Sequence, residues 1–167
     1  TTLPNPVYFF SGTWVDLSTM VRLANQAIKA VDPTAVILCP PVQGWAATSN
    51  TSNTYFTGMM AASDGATGIM KNWVDVIAVH LYPPPVNRTQ DIDGAITQVK
   101  ASIASAGISG SMEIWDTESA PIGVAASQMT DALLNQVISR MWLTMAGRGI
   151  KRTVYYQLDS TLYGFLG

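Results

Sequence analysis

The chain has 167 residues, 48% of them hydrophobic, and a domain near this length hides roughly 70% of its unfolded surface, enough for one substantial core. Its formal charge is −2 with 9 scattered Lys and Arg, so no basic stripe exists to neutralise a phosphate backbone and nucleic acid is excluded as a partner. The single cysteine, Cys39, excludes an internal disulfide and a thiolate metal cluster, and no apolar run reaches the about 18–20 residues needed to cross a bilayer.

From Leu17, the residues Met20, Val21, Ala24, Ala27, Ile28 and Val31 recur at helical spacing, with Asp16 placed to cap the start and Asp32-Pro33 to stop the pattern. Ala35–Cys39 is a short apolar run closed by Pro40-Pro41, which suits a strand buried on both faces. A loop over 43–53 leads to Tyr55, Phe56, Met59 and Met60, read as a short helix whose Met pair packs in the core. Val74–Leu81 is the next strand, stopped by Pro83-Pro84-Pro85, and Ile92 to Ala106 marks a helix ended by Gly107. Met112–Thr117 runs as a strand into Glu118, a long helix opens at Ser127 and closes at Gly147 and Gly149, and Thr153–Leu158 is the last strand. Strands alternating with helices predict a single domain of βα units on a parallel sheet. Four units are half of an eight-stranded barrel of about 250 residues, although an open flavodoxin-like sheet fits the same periodicity.

The polar residues of the strands gather at their carboxyl-terminal ends: His80 and Tyr82, Asp116 and Glu118, Gln157 and Asp159. Barrel enzymes keep their sites at that edge. A carboxylate there can attack an anomeric carbon, and aromatic rings nearby offer apolar faces to sugars. Trp14 and Trp45, in loops near this edge, are read as sugar-stacking rings or as cover for the core. His80 is the only histidine, so neither a histidine-rich metal site nor a Ser-His-Asp triad has support; it is a substrate contact or a hydrogen-bonded structural residue. Asp32 and Asp75 are read as backbone-orienting groups. Asp116 has the strand parity of Glu118, and a role between strands suits it better than chemistry. No glycine-rich phosphate loop follows a strand, and no cofactor is expected.

The segment Glu113-Ile-Trp-Asp-Thr-Glu118-Ser resembles the seventh-strand motif of clan A glycoside hydrolases, particularly the family 39-like enzymes, in which the closing Glu is the nucleophile. Val74 to Tyr82 resembles the sixth strand with its His-x-Tyr. Ala27 to Pro33 followed by Ala35 to Pro40 resembles the fourth helix and fifth strand, and Phe10-Ser-Gly-Thr13 the loop entering that helix. The resemblance implies the C-terminal half of a (β/α)8 barrel, strands five to eight, acting on a polysaccharide or glycoside by retaining double displacement, with Glu118 as nucleophile. His80, Tyr82, Trp14, Trp45 and Gln157 are the implied substrate contacts. In this clan the acid/base is a Glu ending the fourth strand, which would precede Thr1; Glu113, the only other Glu, starts its strand at the opposite end of the barrel. Leu158 stands where many relatives carry a sugar-stacking Trp. The competing reading is a non-catalytic carbohydrate-binding or structural half-barrel.

The expected partners are therefore a carbohydrate and the missing N-terminal half of the barrel, or a second copy in its place. Ser, Thr, Ala and Gly are abundant, and Asn50-Thr51-Ser52 and Asn87-Arg88-Thr89 fit the glycosylation sequon, so a secreted location is preferred over the cytoplasm.

Overall fold

The computed structural model describes residues 12–43, 45, 51–64, 68–82, 89–120 and 131–156. Helix α1 spans Trp14–Val31, α2 Thr51–Ala61, α3 Thr89–Ser105 and α4 Asp131–Gly147; strands β1, β2 and β3 span Val76–His80, Glu113–Ser119 and Ile150–Tyr155. The three strands form one parallel sheet in the order β1-β2-β3. Residues 35–42 run parallel along the edge of β1, where their backbone pairing is reduced to bridges at Leu38–Val76 and Val42–Val79, with the Cys39 sulfur accepting the Ala78 amide between them. Pro40 and Pro41 explain the interruption, because neither has an amide proton to give to a ladder. The expected chain-order arrangement of four parallel segments therefore holds, with the first reduced to two bridges. β3 starts three residues earlier than the expected Thr153; the expected start of α4 at Ser127 lies outside the described residues.

Helix α1 forms where its periodicity puts it, but with a different cap and with only part of its apolar stripe turned to the core. Thr13, rather than Asp16, is the N-cap. Its hydroxyl accepts the Asp16 amide at 3.2 Å, and Asp16 returns the bond to the Thr13 amide at 2.7 Å, a reciprocal capping box. A polar stripe also ties the helix to the rest of the chain. Ser18 donates to the Ala62 carbonyl (2.9 Å), Asn25 to the Trp73 carbonyl (2.7 Å) and Lys29 to Asp75 (2.7 Å), while Arg22 pairs with Asp64. These residues repeat at i, i+4, i+7 and i+11, so they form one stripe along the helix. Leu17 and Val21 of the apolar stripe pack against the core, while the rest of it turns outward: Met20 is 56% exposed and Val31 88%.

The core lies between the sheet and helices α2, α3 and α4. Phe56, Met59 and Met60 of α2, Ile96 and Val99 of α3, and Met145 of α4 close on Ile77 and Val79 of β1, all fully buried. The Met pair packs as expected, since an unbranched side chain fills irregular gaps. Cys39 is buried beside Ala78 and its thiol is pushed up to about 12 by that burial, which makes it inert. Asp75 and Asp32 hold backbone as expected: Asp75 accepts the Ile37 amide at 2.9 Å and Asp32 the Thr34 amide at 2.8 Å.

Gly107 ends α3 at φ +62°, and the Lys71 ammonium donates to the carbonyls of Ala106 and Gly107 at 3.0 Å. A Cβ in this left-handed conformation costs about 1–2 kcal/mol. Gly107→Ala is expected to lower unfolding free energy by about that amount, measured by urea denaturation; an unchanged midpoint would show that the turn relaxes freely.

Candidate active site

The site is built where β1 and β2 end side by side. His80 closes β1, Tyr82 follows two residues later, and Glu118 is the penultimate residue of β2. The Tyr82 hydroxyl donates to Glu118 Oε1, and His80 Nδ1 lies 3.8 Å from Glu118 Oε2. The His80 and Tyr82 rings stand edge to face, 6.5 Å apart at 83°. The Glu118 side chain remains 30% exposed and His80 19%, so the carboxylate is held from one side and open to solvent on another. Burial lowers the His80 pKa and the nearby Glu118 carboxylate partly opposes that shift, which leaves the imidazole neutral at pH 7.

A β-bulge sets the direction of Glu118. Val79 pairs with Asp116 and His80 with Glu118, and on the other side Asp116 pairs with Thr153 and Ser119 with Tyr155. Against both neighbours β2 has one residue too many, and that residue is Thr117. The expectation that Asp116 and Glu118 share a face is therefore corrected. Asp116 lines up with Val79 and is fully buried, whereas Glu118 lines up with His80. Burial raises the Asp116 pKa to about 7; the nearby Ser119 hydroxyl and the Leu81 and Glu118 amides oppose this, and the charge of Glu118 adds to it. The β-strand period of two hid this from the sequence.

Of the two readings of Trp14 and Trp45, sugar stacking and cover for the core, the packing of both favours the second. Trp45 is 3% exposed, meets Phe56 edge-on and donates its indole N–H to the Val42 carbonyl at 2.7 Å, so it belongs to the core. Trp14 packs over Gly58, where a Cβ would overlap its ring, and meets Tyr55 at 6.1 Å; it joins α1 to α2. A flat ring fills more of a helix contact than any aliphatic side chain, and both positions use it so, Trp45 buried and Trp14 half-buried. Gln157 lies outside the described residues. Glu113 accepts the Trp115 indole N–H at 2.8 Å at the amino-terminal end of β2, remote from Glu118 along the strand. Among the described residues, no group of three or more His, Cys, Asp or Glu could hold a metal ion, and no helix is long and apolar enough to cross a membrane.

Solved structures that share this fold include two glycosidases. A glucosidase from Croceicoccus marinus superposes on 93% of the chain with a TM-score of 0.69 at 16% identity. A family 51 α-L-arabinofuranosidase from Bifidobacterium longum superposes on 92% with a TM-score of 0.62 at 12% identity. The chain spans 33% and 37% of their lengths, and its parallel βα units share the fold of that part of each, an arrangement consistent with a partial barrel. No family model and no curated protein matches the sequence.

Proposed function

We propose that the chain supplies the nucleophile-bearing part of a family 39-like retaining glycoside hydrolase, with Glu118 as nucleophile. One observation carries the reading: two side chains from the end of β1 converge on the carboxylate at the end of β2, the edge where barrels keep their chemistry. The Tyr82 hydroxyl fixes one carboxylate oxygen and leaves the carboxylate free to attack an anomeric carbon from its open side. A second carboxyl about 5–5.5 Å away protonates the departing glycosidic oxygen, and then takes a proton from the water that releases the sugar. That acid/base lies outside residues 1–167 in this reading, since Glu113 is engaged at the far end of β2. Neutral His80 beside Glu118 can hydrogen-bond a sugar hydroxyl without adding a positive charge. The test is hydrolysis of aryl glycosides by protein carrying the whole barrel, with and without Glu118.

The proposed partner is the remaining part of the barrel. The apolar stripe of α1 supports it, because Met20, Ile28 and Val31 are each at least 44% exposed, a pattern that favours burial against another surface. The isolated 167-residue chain is expected to self-associate at micromolar concentration. Sedimentation velocity checks this, and a stable monodisperse monomer would overturn it.

A further inference from the structure

We propose that Asp116 is the positioning residue of the Glu118 site, gripping the Leu81 amide so that the His80–Leu81–Tyr82 segment stays clamped on Glu118 across the bulge. Its bearing on hydrolysis rests on the function proposed above, but the clamp itself does not.

The argument starts from the broken ladder. An extra residue in β2 interrupts regular pairing at the point where β1 must deliver His80 and Tyr82 to Glu118. The amide just past the break needs an acceptor, because a buried backbone N–H left unpaired costs a large part of a hydrogen bond. Leu81 is fully buried, and its amide meets two acceptors, the Glu118 carbonyl at 3.1 Å and Asp116 Oδ1 at 3.2 Å. Both belong to β2, one before the bulge and one after it. Leu81 is also the residue between the two that touch Glu118, so fixing its amide fixes the direction of both side chains.

A neutral side chain could accept that bond at lower cost. Asp116 is instead a carboxyl with no exposed surface, and its Oδ2 is buried without a hydrogen-bond partner. Burying such a group is expensive, and a purely structural acceptor would not need the second oxygen. The bond from the Leu81 amide nevertheless gives this costly group a place in the geometry of the site. Asp116 touches no reacting atom in this arrangement; it acts through Leu81 on His80 and Tyr82.

The test uses the single histidine as a reporter. Because His80 is the only imidazole in the chain, its NMR titration in the 167-residue protein is read without ambiguity. The groups shown against it are Glu118 and Tyr82. In the wild type, Glu118→Gln should lower the His80 midpoint, since the carboxylate raises it. In an Asp116→Ala background that response should fall to less than half, because His80 is no longer held at Glu118. In Asp116→Asn, which keeps an acceptor oxygen for Leu81, it should stay near the wild-type size. An undiminished response in Asp116→Ala would overturn the proposal. If Asp116→Ala does not fold, Asp116→Leu, apolar and of similar size, replaces it under the same criterion. The Leu81 amide of the wild type supplies a measurement that needs no variant: its shift should follow ionisation of the Asp116 carboxyl, and an amide indifferent to it would also overturn the clamp. Loss of the response with no hydrolysis by the complete barrel would retire the enzyme reading alone. An undiminished response in an enzyme that Glu118→Gln inactivates would retire the clamp alone.

Discussion

Glu118→Gln, made in protein carrying the whole barrel, is expected to lower turnover of aryl glycosides by at least about three orders of magnitude while leaving the fold intact. The replacement is nearly isosteric and the side chain is 30% exposed, so packing changes little. An amide can still accept the Tyr82 hydroxyl, yet it cannot form the glycosyl–enzyme bond on which double displacement depends. In Glu118→Ala, which vacates the carboxylate's place, azide should restore part of the activity by attacking from that face, and should give a glycosyl azide of inverted configuration. Near-normal turnover in the variant would remove Glu118 from the mechanism. A wild type inactive on every sugar, but binding oligosaccharides, would favour a non-catalytic carbohydrate-binding module.

Asp116→Asn is expected to reshape how stability depends on pH. The native carboxyl titrates at about 7 because it is buried, whereas in the unfolded chain it titrates near 3.8. Below the unfolded value both states hold the proton and the group is neutral to folding. Between about pH 4 and pH 7 the unfolded state releases the proton and the native state keeps it, so stability falls as pH rises, by a total on the order of 4 kcal/mol. His80 works with the opposite slope: its native pKa is lowered, so the unfolded chain takes up a proton first as pH falls and stability drops toward acid. The difference between wild type and Asp116→Asn cancels the His80 contribution and isolates the Asp116 slope. Urea denaturation at several pH values measures it. Parallel curves for the two proteins from pH 4 to pH 7 would show that Asp116 is ionised in the native state.

Much of the fold was legible because its signals are local. The strand runs read at Val74–Leu81 and Met112–Thr117 and the punctuation by Gly107 mark elements through short-range signals, and the structure follows them to within two residues, at Val76–His80 and Glu113–Ser119. The site was legible in part for the same reason, since Tyr82 and Glu118 each sit at the carboxyl end of an apolar run and parallel pairing brings those ends together. What the sequence hid depends on partners far along the chain. The apolar stripe of α1 announces a helix correctly, but how its polar stripe is tied to the rest of the chain is decided by Asp64, Asp75 and the carbonyls of Ala62 and Trp73, more than forty residues away from the side chains they hold. Trp45 was ambiguous because an indole suits a sugar platform and a core equally well; its contact with Phe56 decides the matter. The bulge at Thr117 leaves no mark in a pattern of alternating residues, so Asp116 was assigned to the wrong face.

That single extra residue also separates two fates under selection. Asp116 and Glu118 stand two positions apart, and in a regular strand both would answer to one environment. With Thr117 between them, the first faces the interior and the second the open cleft. A saturation library of this tripeptide, sorted once for folded protein and once for hydrolysis, should therefore split cleanly. Glu118 would tolerate many replacements in the first sort and none in the second, whereas Asp116 would be restricted in both, because losing the interior contact disturbs the cleft it supports. Neighbours in the text of the gene would carry separate evolutionary histories, written by a change of register rather than by distance.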